Sequence, residues 1–368
     1  MIEYLNLKDI NAPYEEEIIA AMSNVVDSGW YLFGNAVSKF EQEWADYCGA
    51  QYSVACANGL DAIRLSLQAL IELGRIKKDA EVIVPANTYI ATILAVSQCG
   101  LKPVLVDPDA DTYLLTADKA KDAITSNTGV IILVHLYGQV CEMESFYKLI
   151  ENHPNIYLVE DCAQCHGARK MHQYSSAQCY SFYPGKNLGA LGDAGAVVSN
   201  DTELCETIRM IANYGCAKKY VHDFQGINSR MDEVQAAILS VKLKDLDRCN
   251  IRRKEIAERY SKEITNPHII LPKITTESVY HIYPIRCEKR NELQQYLLDN
   301  GIATQIHYPI PPHKQKAYFQ LNGMSFPISE MIAQTELSLP CNQAMTDDEV
   351  TKVITSLNHF EQKNKTTI

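Results

Sequence analysis

Two short stretches set the tightest limits on what this chain can fold into. The apolar run Ile156-Tyr157-Leu158-Val159 reads as a buried strand that ends at Glu160-Asp161 and continues as Cys162-Ala163-Gln164-Cys165-His166-Gly167-Ala168. Cys179 to Tyr183 reads as a second strand ending at Pro184-Gly185-Lys186, and glycines then recur at Gly189, Gly192 and Gly195. Two strands that each deliver one ionisable residue at the carboxyl end build a site at the mouth of a parallel sheet. One residue is an acid, Asp161; the other is an amine, Lys186.

That pairing suits a cofactor with an aldehyde and a basic ring. An amine on a rigid loop can form a Schiff base with the aldehyde of pyridoxal phosphate. A carboxylate against the pyridine nitrogen keeps it protonated, so the ring acts as an electron sink. Either charge buried alone is costly, and each is satisfied when the cofactor lies between them. Spacing by itself also admits an unrelated strand-end Asp161 and a surface Lys186. The glycines match neither a dinucleotide fingerprint nor a P-loop, because Asn187 follows the lysine. They suit a backbone that turns tightly around Lys186.

Other segments add to the site. Asn58-Gly59-Leu60-Asp61 links a short strand, Ser53 to Ala57, to a helix, and amides at a helix N-terminus can cradle a phosphate. Gly59 and Leu60 are the candidates; a plain Asn-Gly turn with Asp61 as cap is the alternative. Glu81 to Pro85 is a buried strand leading to Tyr89, an aromatic that can stack on a pyridine face or pack in the core. Strands at Val104 to Asp107 and Val130 to His135 continue a strand–helix alternation that means an α/β layered sheet. One helix is expected from about Ser229 to Tyr260, capped by Asn228 or Ser229. Beyond about residue 255 the texture becomes that of a smaller α+β unit. The expected division is a large α/β domain over 1–250 and a small one over 251–368. His307 and His313 in that second unit are candidates for touching substrate, although lone histidines are commonly structural.

Composition removes other functions. A net charge of −11 argues against non-specific nucleic-acid binding. No apolar run is long enough to span a bilayer. The first residues lack the basic and apolar regions of a signal peptide, so a cytoplasmic protein is expected. Its twelve cysteines are then mostly reduced. Cys162-Ala163-Gln164-Cys165-His166 has c-type haem spacing, but it follows a core strand in a chain without an export signal. Zinc is not expected either, since no second C-x-x-C or H-x₃-H supplies further ligands.

Glu160 to Ala168 followed by Ser181 to Gly195 resembles the DegT/DnrJ/EryC1/StrS family of sugar aminotransferases. Ser28-Gly29-Trp30-Tyr31, Ala57 to Ala62 and Pro85 to Ala91 resemble it too. The resemblance implies a fold-type I, pyridoxal-phosphate-dependent aminotransferase with a mostly parallel central sheet flanked by helices. It implies that Lys186 carries the cofactor, Asp161 meets the ring nitrogen, Gln164 meets the ring hydroxyl, and His166 packs beneath the ring or supports Asp161. Gly59, Leu60 and Ser181 would hold the phosphate, with Asn228 reaching across a homodimer to the partner's phosphate. Much of the family has Thr where this chain has Leu60, so here the amides must carry more of that contact. Tyr89, Tyr183, Tyr220, His307, Tyr308 and His313 would line the cofactor and substrate space. The implied reaction moves an amino group from an amino acid, L-glutamate, to C-3 of a dTDP-linked keto-6-deoxyhexose, in deoxysugar or lipopolysaccharide biosynthesis. Two other readings stand beside it: amination at C-4 of a UDP- or dTDP-4-keto sugar, and a non-catalytic regulator that binds the cofactor.

Overall fold

The computed structural model describes residues 1–273 and 277–361. Seven strands form the central sheet: β1 (Tyr52–Cys56), β2 (Glu81–Pro85), β3 (Lys102–Val106), β4 (Thr128–Val134), β5 (Tyr157–Asp161), β6 (Ala177–Ser181) and β7 (Gly195–Ser199). Their order is β1-β7-β6-β5-β4-β2-β3. The strands from β3 across to β6 run parallel, while β7 is antiparallel to both its neighbours. Parallel strands are covered on both faces and so read as unbroken apolar runs. β4, Thr-Gly-Val-Ile-Ile-Leu-Val, is buried throughout.

The sheet ends where the site begins. β6 stops at Ser181, two residues before the strand end expected from its pattern. Lys186 therefore projects from a loop of its own rather than from the strand tip. Along β5 successive side chains face opposite sides, so Glu160 and Asp161 enter different environments. Glu160 is fully buried and meets His135 at 2.8 Å and Arg169 at 2.7 Å. It also takes the Ser175 hydroxyl. Asp161 faces the cavity described below.

Two expectations beyond the sheet are corrected. The single long helix is two, Glu233–Leu243 and Leu246–Glu263. At the break the Asp245 N–H bonds the Lys242 carbonyl three residues back rather than four, a tighter turn that lets the second helix leave at a new angle. Neither Asn228 nor Ser229 caps the first of these helices. The Ser229 hydroxyl instead takes the Ala57 N–H at 3.1 Å. Glu233 turns back to accept the N–H groups of Gly34, Ala36 and Val37 at the start of helix Asn35–Cys48, where negative charge is favoured.

A second hydrophobic core gathers Ile256, Tyr260, Tyr283, Leu293, Leu337 and Val353 around a two-stranded ribbon, Tyr283–Arg286 with Glu336–Leu339. Ile2, from the start of the chain, joins this core and bridges to Ile302. No helix is long and apolar enough to cross a membrane among the described residues. The tail after Phe360 is polar and reads from its sequence as frayed; from residue 362 on it lies outside the described residues.

Removing the Glu160 carboxylate leaves His135 and Arg169 buried without their counter-charge. Glu160→Ala should cost roughly 3–5 kcal/mol of stability, read from the urea midpoint. A loss below about 1 kcal/mol would contradict this account of the buried network.

Candidate active site

The carboxyl ends of β1, β2, β4, β5 and β6 open into one cavity of about 650 Å³. Its wall includes Gly59 and Leu60 beyond β1, Tyr89 and Thr92 beyond β2, Asp161 and Gln164 at β5, and Ser181 to Lys186 at β6. The expected acid and the expected amine thus share one space. Asp161 is fixed by the Thr92 hydroxyl at 2.8 Å and the Ala163 N–H at 3.1 Å. Burial pushes its carboxyl above the usual range, offset by those two bonds and by the Lys186 charge. Lys186 is pulled down to about 8 by burial, against the opposing pull of Asp161. A neutral amine is thereby within reach of ordinary pH.

The lysine loop is held from both sides. A Cβ on Gly189 would lie 2.3 Å from the Pro184 carbonyl oxygen, so only glycine lets the chain fold back over Pro184-Gly185-Lys186. Asn187 bonds Asn250 at 2.9 Å, the Val279 carbonyl at 3.0 Å and His281 at 3.0 Å. These contacts tie the residue next to Lys186 to the second core's side of the cavity.

The opposite end of the cavity fits an anion. Asn58 caps helix Gly59–Glu72 by accepting the Asp61 N–H at 2.9 Å, so Asn58 rather than Asp61 is the capping residue. The N–H groups of Gly59 and Leu60 have no hydrogen-bond partner among the described residues. A Cβ on Gly59 would stand 2.5 Å from the Ser181 Cβ. Two free amides at a helix N-terminus, pressed against a serine, make a phosphate cradle. With a carboxylate for a ring nitrogen and an amine for an aldehyde, the residues fit pyridoxal phosphate.

Aromatic and polar groups close the roof. Tyr89 and Tyr308 lie with ring centroids 5.0 Å apart. The Gln164 carbonyl oxygen accepts the Tyr137 N–H at 2.5 Å, and its amide donates to the Tyr308 hydroxyl at 3.1 Å. One amide hydrogen remains for a ligand. The Tyr137 hydroxyl donates to the His307 carbonyl at 2.5 Å, and Tyr183 and His307 line the space.

Several expected residues lie elsewhere. His166 does not reach Asp161: its Nε2 donates to the Ser181 carbonyl at 2.8 Å, and its ring sits among Trp44, Tyr180 and Phe182. Burial and the Lys186 charge pull it down to about 3. It is a neutral support beneath β6, off the cavity wall, rather than a catalytic group. His313 is fully buried against Phe326 and bonds Glu330 at 2.9 Å, so its ring is spent on packing. Tyr220 is 83% exposed at a small hairpin, and Asn228 pairs with Asn213; neither joins this chain's cavity. Trp30 lines a separate surface cavity of about 690 Å³.

The fold also supplies residues that pattern reading missed. Thr92, Tyr137, His281 and Arg253 gave no local signal. Arg253 is buried and lines the cavity, and it donates to the carbonyls of Tyr280, His281 and Cys341. Its Nε has no partner, and no carboxylate pairs with it among the described residues. His135, Cys162 and Cys165 bring their ligand atoms within 4.8 Å of one another, which spacing alone could not show. Both His135 nitrogens are occupied, one by Glu160 at 2.8 Å and one by the Cys141 N–H at 3.2 Å.

The chain matches the DegT/DnrJ/EryC1/StrS aminotransferase family over residues 13–358. It is 50% identical to the dTDP-3-amino-3,6-dideoxy-alpha-D-galactopyranose transaminase of Aneurinibacillus thermoaerophilus, covering 98% of this chain and 99% of that protein. DesV of S. venezuelae, solved in complex with a ketimine intermediate, superposes with a TM-score of 0.92 at 40% identity over 97% of both chains. NtdA of Bacillus subtilis, solved with the cofactor PMP bound, superposes with a TM-score of 0.91 at 30% identity, over 97% of this chain and 84% of that one.

Capture of pyridoxal phosphate by the cofactor-free protein should accelerate as pH rises through about 8, because the neutral amine is the reactive form. Lys186→Ala should lose the visible absorption band while keeping the fold by circular dichroism. A midpoint near the ordinary lysine value, or an undiminished band in the variant, would contradict the assignment.

Proposed function

The chain belongs to the DegT/DnrJ/EryC1/StrS aminotransferase family, and from that premise we propose that it transfers the amino group of L-glutamate to C-3 of a dTDP-linked 3-keto-6-deoxyhexose. The observation that carries this reading is the cavity in which a buried carboxylate, an amine whose pKa burial lowers and a helix N-terminus face one another. Pyridoxal phosphate, when bound, supplies the electron sink that makes the hydrogen on the carbon beside an amine labile. Asp161 would hold a positive charge at the ring nitrogen, and the Gly59 and Leu60 amides with Ser181 would anchor the phosphate. The remaining amide hydrogen of Gln164 would serve the ring hydroxyl.

Lys186 Nζ does the proton work. In its neutral form it would take the proton from the donor α-carbon, a general-base task. Its lowered pKa sets how much of it is neutral for that step. Arg253 offers the cavity's permanent positive charge to a donor carboxylate. An unpaired buried cation is costly, and a substrate anion compensates it. Tyr183, His307 and Tyr308 stand where the sugar enters.

The active form is a homodimer with shared sites. Trp30, Tyr31, Phe33, Tyr214 and Tyr220 form exposed aromatic surface away from this chain's cavity, an arrangement that suits an interface. Asn228 and Tyr220 on that side would serve the partner's site.

Incubation with pyridoxal phosphate, L-glutamate and a dTDP-3-keto-6-deoxyhexose should give the 3-amino sugar and an equal amount of 2-oxoglutarate. Mass spectrometry and NMR of the product read both. Amination of 4-keto nucleotide sugars alone would move the reaction to C-4 and overturn this assignment.

A further inference from the structure

Behind the cavity wall sits a buried carboxyl group that none of the steps above uses. Glu336 opens the strand Glu336–Leu339 and is fully buried. Its Oε2 accepts the His307 backbone N–H at 2.7 Å, and its Oε1 lies 2.5 Å from the Ser338 hydroxyl. Strand alternation puts Glu336 and Ser338 on one face. The same hydroxyl stands 2.8 Å from Nδ1 of His307. His307 Nε2 bonds no described residue, and His307 lines the cavity. A carboxyl, a hydroxyl and an imidazole therefore form one unbroken chain of hydrogen bonds that ends at open space.

We propose that Glu336, Ser338 and His307 form a proton relay that delivers one proton to the oxygen leaving the keto carbon of the acceptor. Identifying that oxygen rests on the aminotransferase reading; the relay itself rests on the three contacts. In the charged state Glu336 carries the proton on Oε1 and donates to Ser338, and Ser338 donates to Nδ1. His307 then presents Nε2–H to the cavity. Discharge moves three protons one place each: Glu336 to Ser338, Ser338 to Nδ1, and Nε2 to the departing oxygen. The products are a Glu336 carboxylate, a Ser338 hydroxyl turned toward it, and a His307 with Nδ1–H and a bare Nε2. The net change is one proton from Glu336 to the leaving oxygen. Water adding at the donor carbon in the other half of the cycle returns that proton by the same path. His307 stays neutral throughout, because it changes tautomer rather than charge.

The surroundings tune the relay near working pH. Burial drives Glu336 up to about 8, against the pull of Ser338, the His307 N–H and the Arg290 charge. The hydroxyls of Tyr4, Tyr113, Tyr137 and Tyr308 face the same carboxyl from four other segments, and each is raised in part by its charge. Burial and the Lys186 charge hold His307 down at about 4, and His281 feels His307 in turn. Below about 8 the relay is loaded and Nε2 is a donor; above it Nε2 is an acceptor.

Glu336→Gln tests this without removing the packing. The amide oxygen can still accept the His307 N–H and its NH₂ can donate to Ser338, which locks His307 as the Nε2–H tautomer. In the cofactor-free protein labelled with ¹⁵N-histidine, the His307 nitrogens should exchange protonation with a midpoint near pH 8. In Glu336→Gln they should not. This arm needs no substrate, so it succeeds or fails whether or not a nucleotide sugar is turned over. In single-turnover amination of the keto sugar, Glu336→Gln and Ser338→Ala should each slow the step roughly 100-fold, with little change in KM. The pH dependence near 8 should vanish in Glu336→Gln. One fixed tautomer across that range in the wild type, or a Glu336→Gln protein with the wild-type rate and pH profile, would overturn the relay.

Discussion

The structure depends on two opposite charges that share one buried space and have little else to answer them. Asp161 and Lys186 sit at the rim of the parallel sheet, each shifting the other's ionisation, and among the described residues neither is matched by an ordinary ion pair at contact distance. A folded chain keeps such groups only when something compensates them. The compensation here is geometric provision for a ligand: a positive ring nitrogen for the acid, an aldehyde for the amine, and free helix amides for a phosphate. Strand order makes the arrangement possible, because the ends of five strands meet at one edge.

The second core completes what the sheet begins. Arg253 and His281 reach the cavity from its side, and Asn187 bonds that side directly after Lys186. Asp107, at the end of β3, takes the N–H groups of Ile328 and Ser329 at 2.8 Å each and so fixes helix Pro327–Thr335 to the sheet. The lysine loop is thus held, through Asn187, by Asn250, Val279 and His281 from far along the chain. A lysine with neutral character requires this enclosure, since burial is the first cause of its lowered pKa.

Much of this was legible in the sequence, for identifiable reasons. Apolar runs bounded by turn residues gave β1 to β5 to within two residues at either end, because buried strands leave a strong, simple pattern. Asp161 stood out because it ends an apolar run, Lys186 because it lies just beyond another, and Gly59 because a glycine opens the helix after β1; Ser181 came from the family resemblance. Long-range choices were not legible. His307 and His313 look alike in sequence; only the placement of Glu330 makes one a packed core histidine and leaves the other on the cavity wall. His166 follows Asp161 closely, yet the turn at Cys162 to Cys165 sends it beneath Ser181 instead. The break at Lys244-Asp245 carries no proline or glycine, so helix periodicity ran straight through it. Arg253 sits in a run of charged helix residues, where a buried cation gives no local signal at all.

The central claim is that Asp161 keeps a positive charge on the cofactor's ring nitrogen. The most direct test is ¹⁵N NMR of the protein loaded with pyridoxal phosphate labelled at that nitrogen. The account predicts a protonated nitrogen in the wild type at neutral and mildly alkaline pH, and a deprotonated one in Asp161→Ala. An unprotonated nitrogen in the wild type, or the same signal in both proteins, would contradict it.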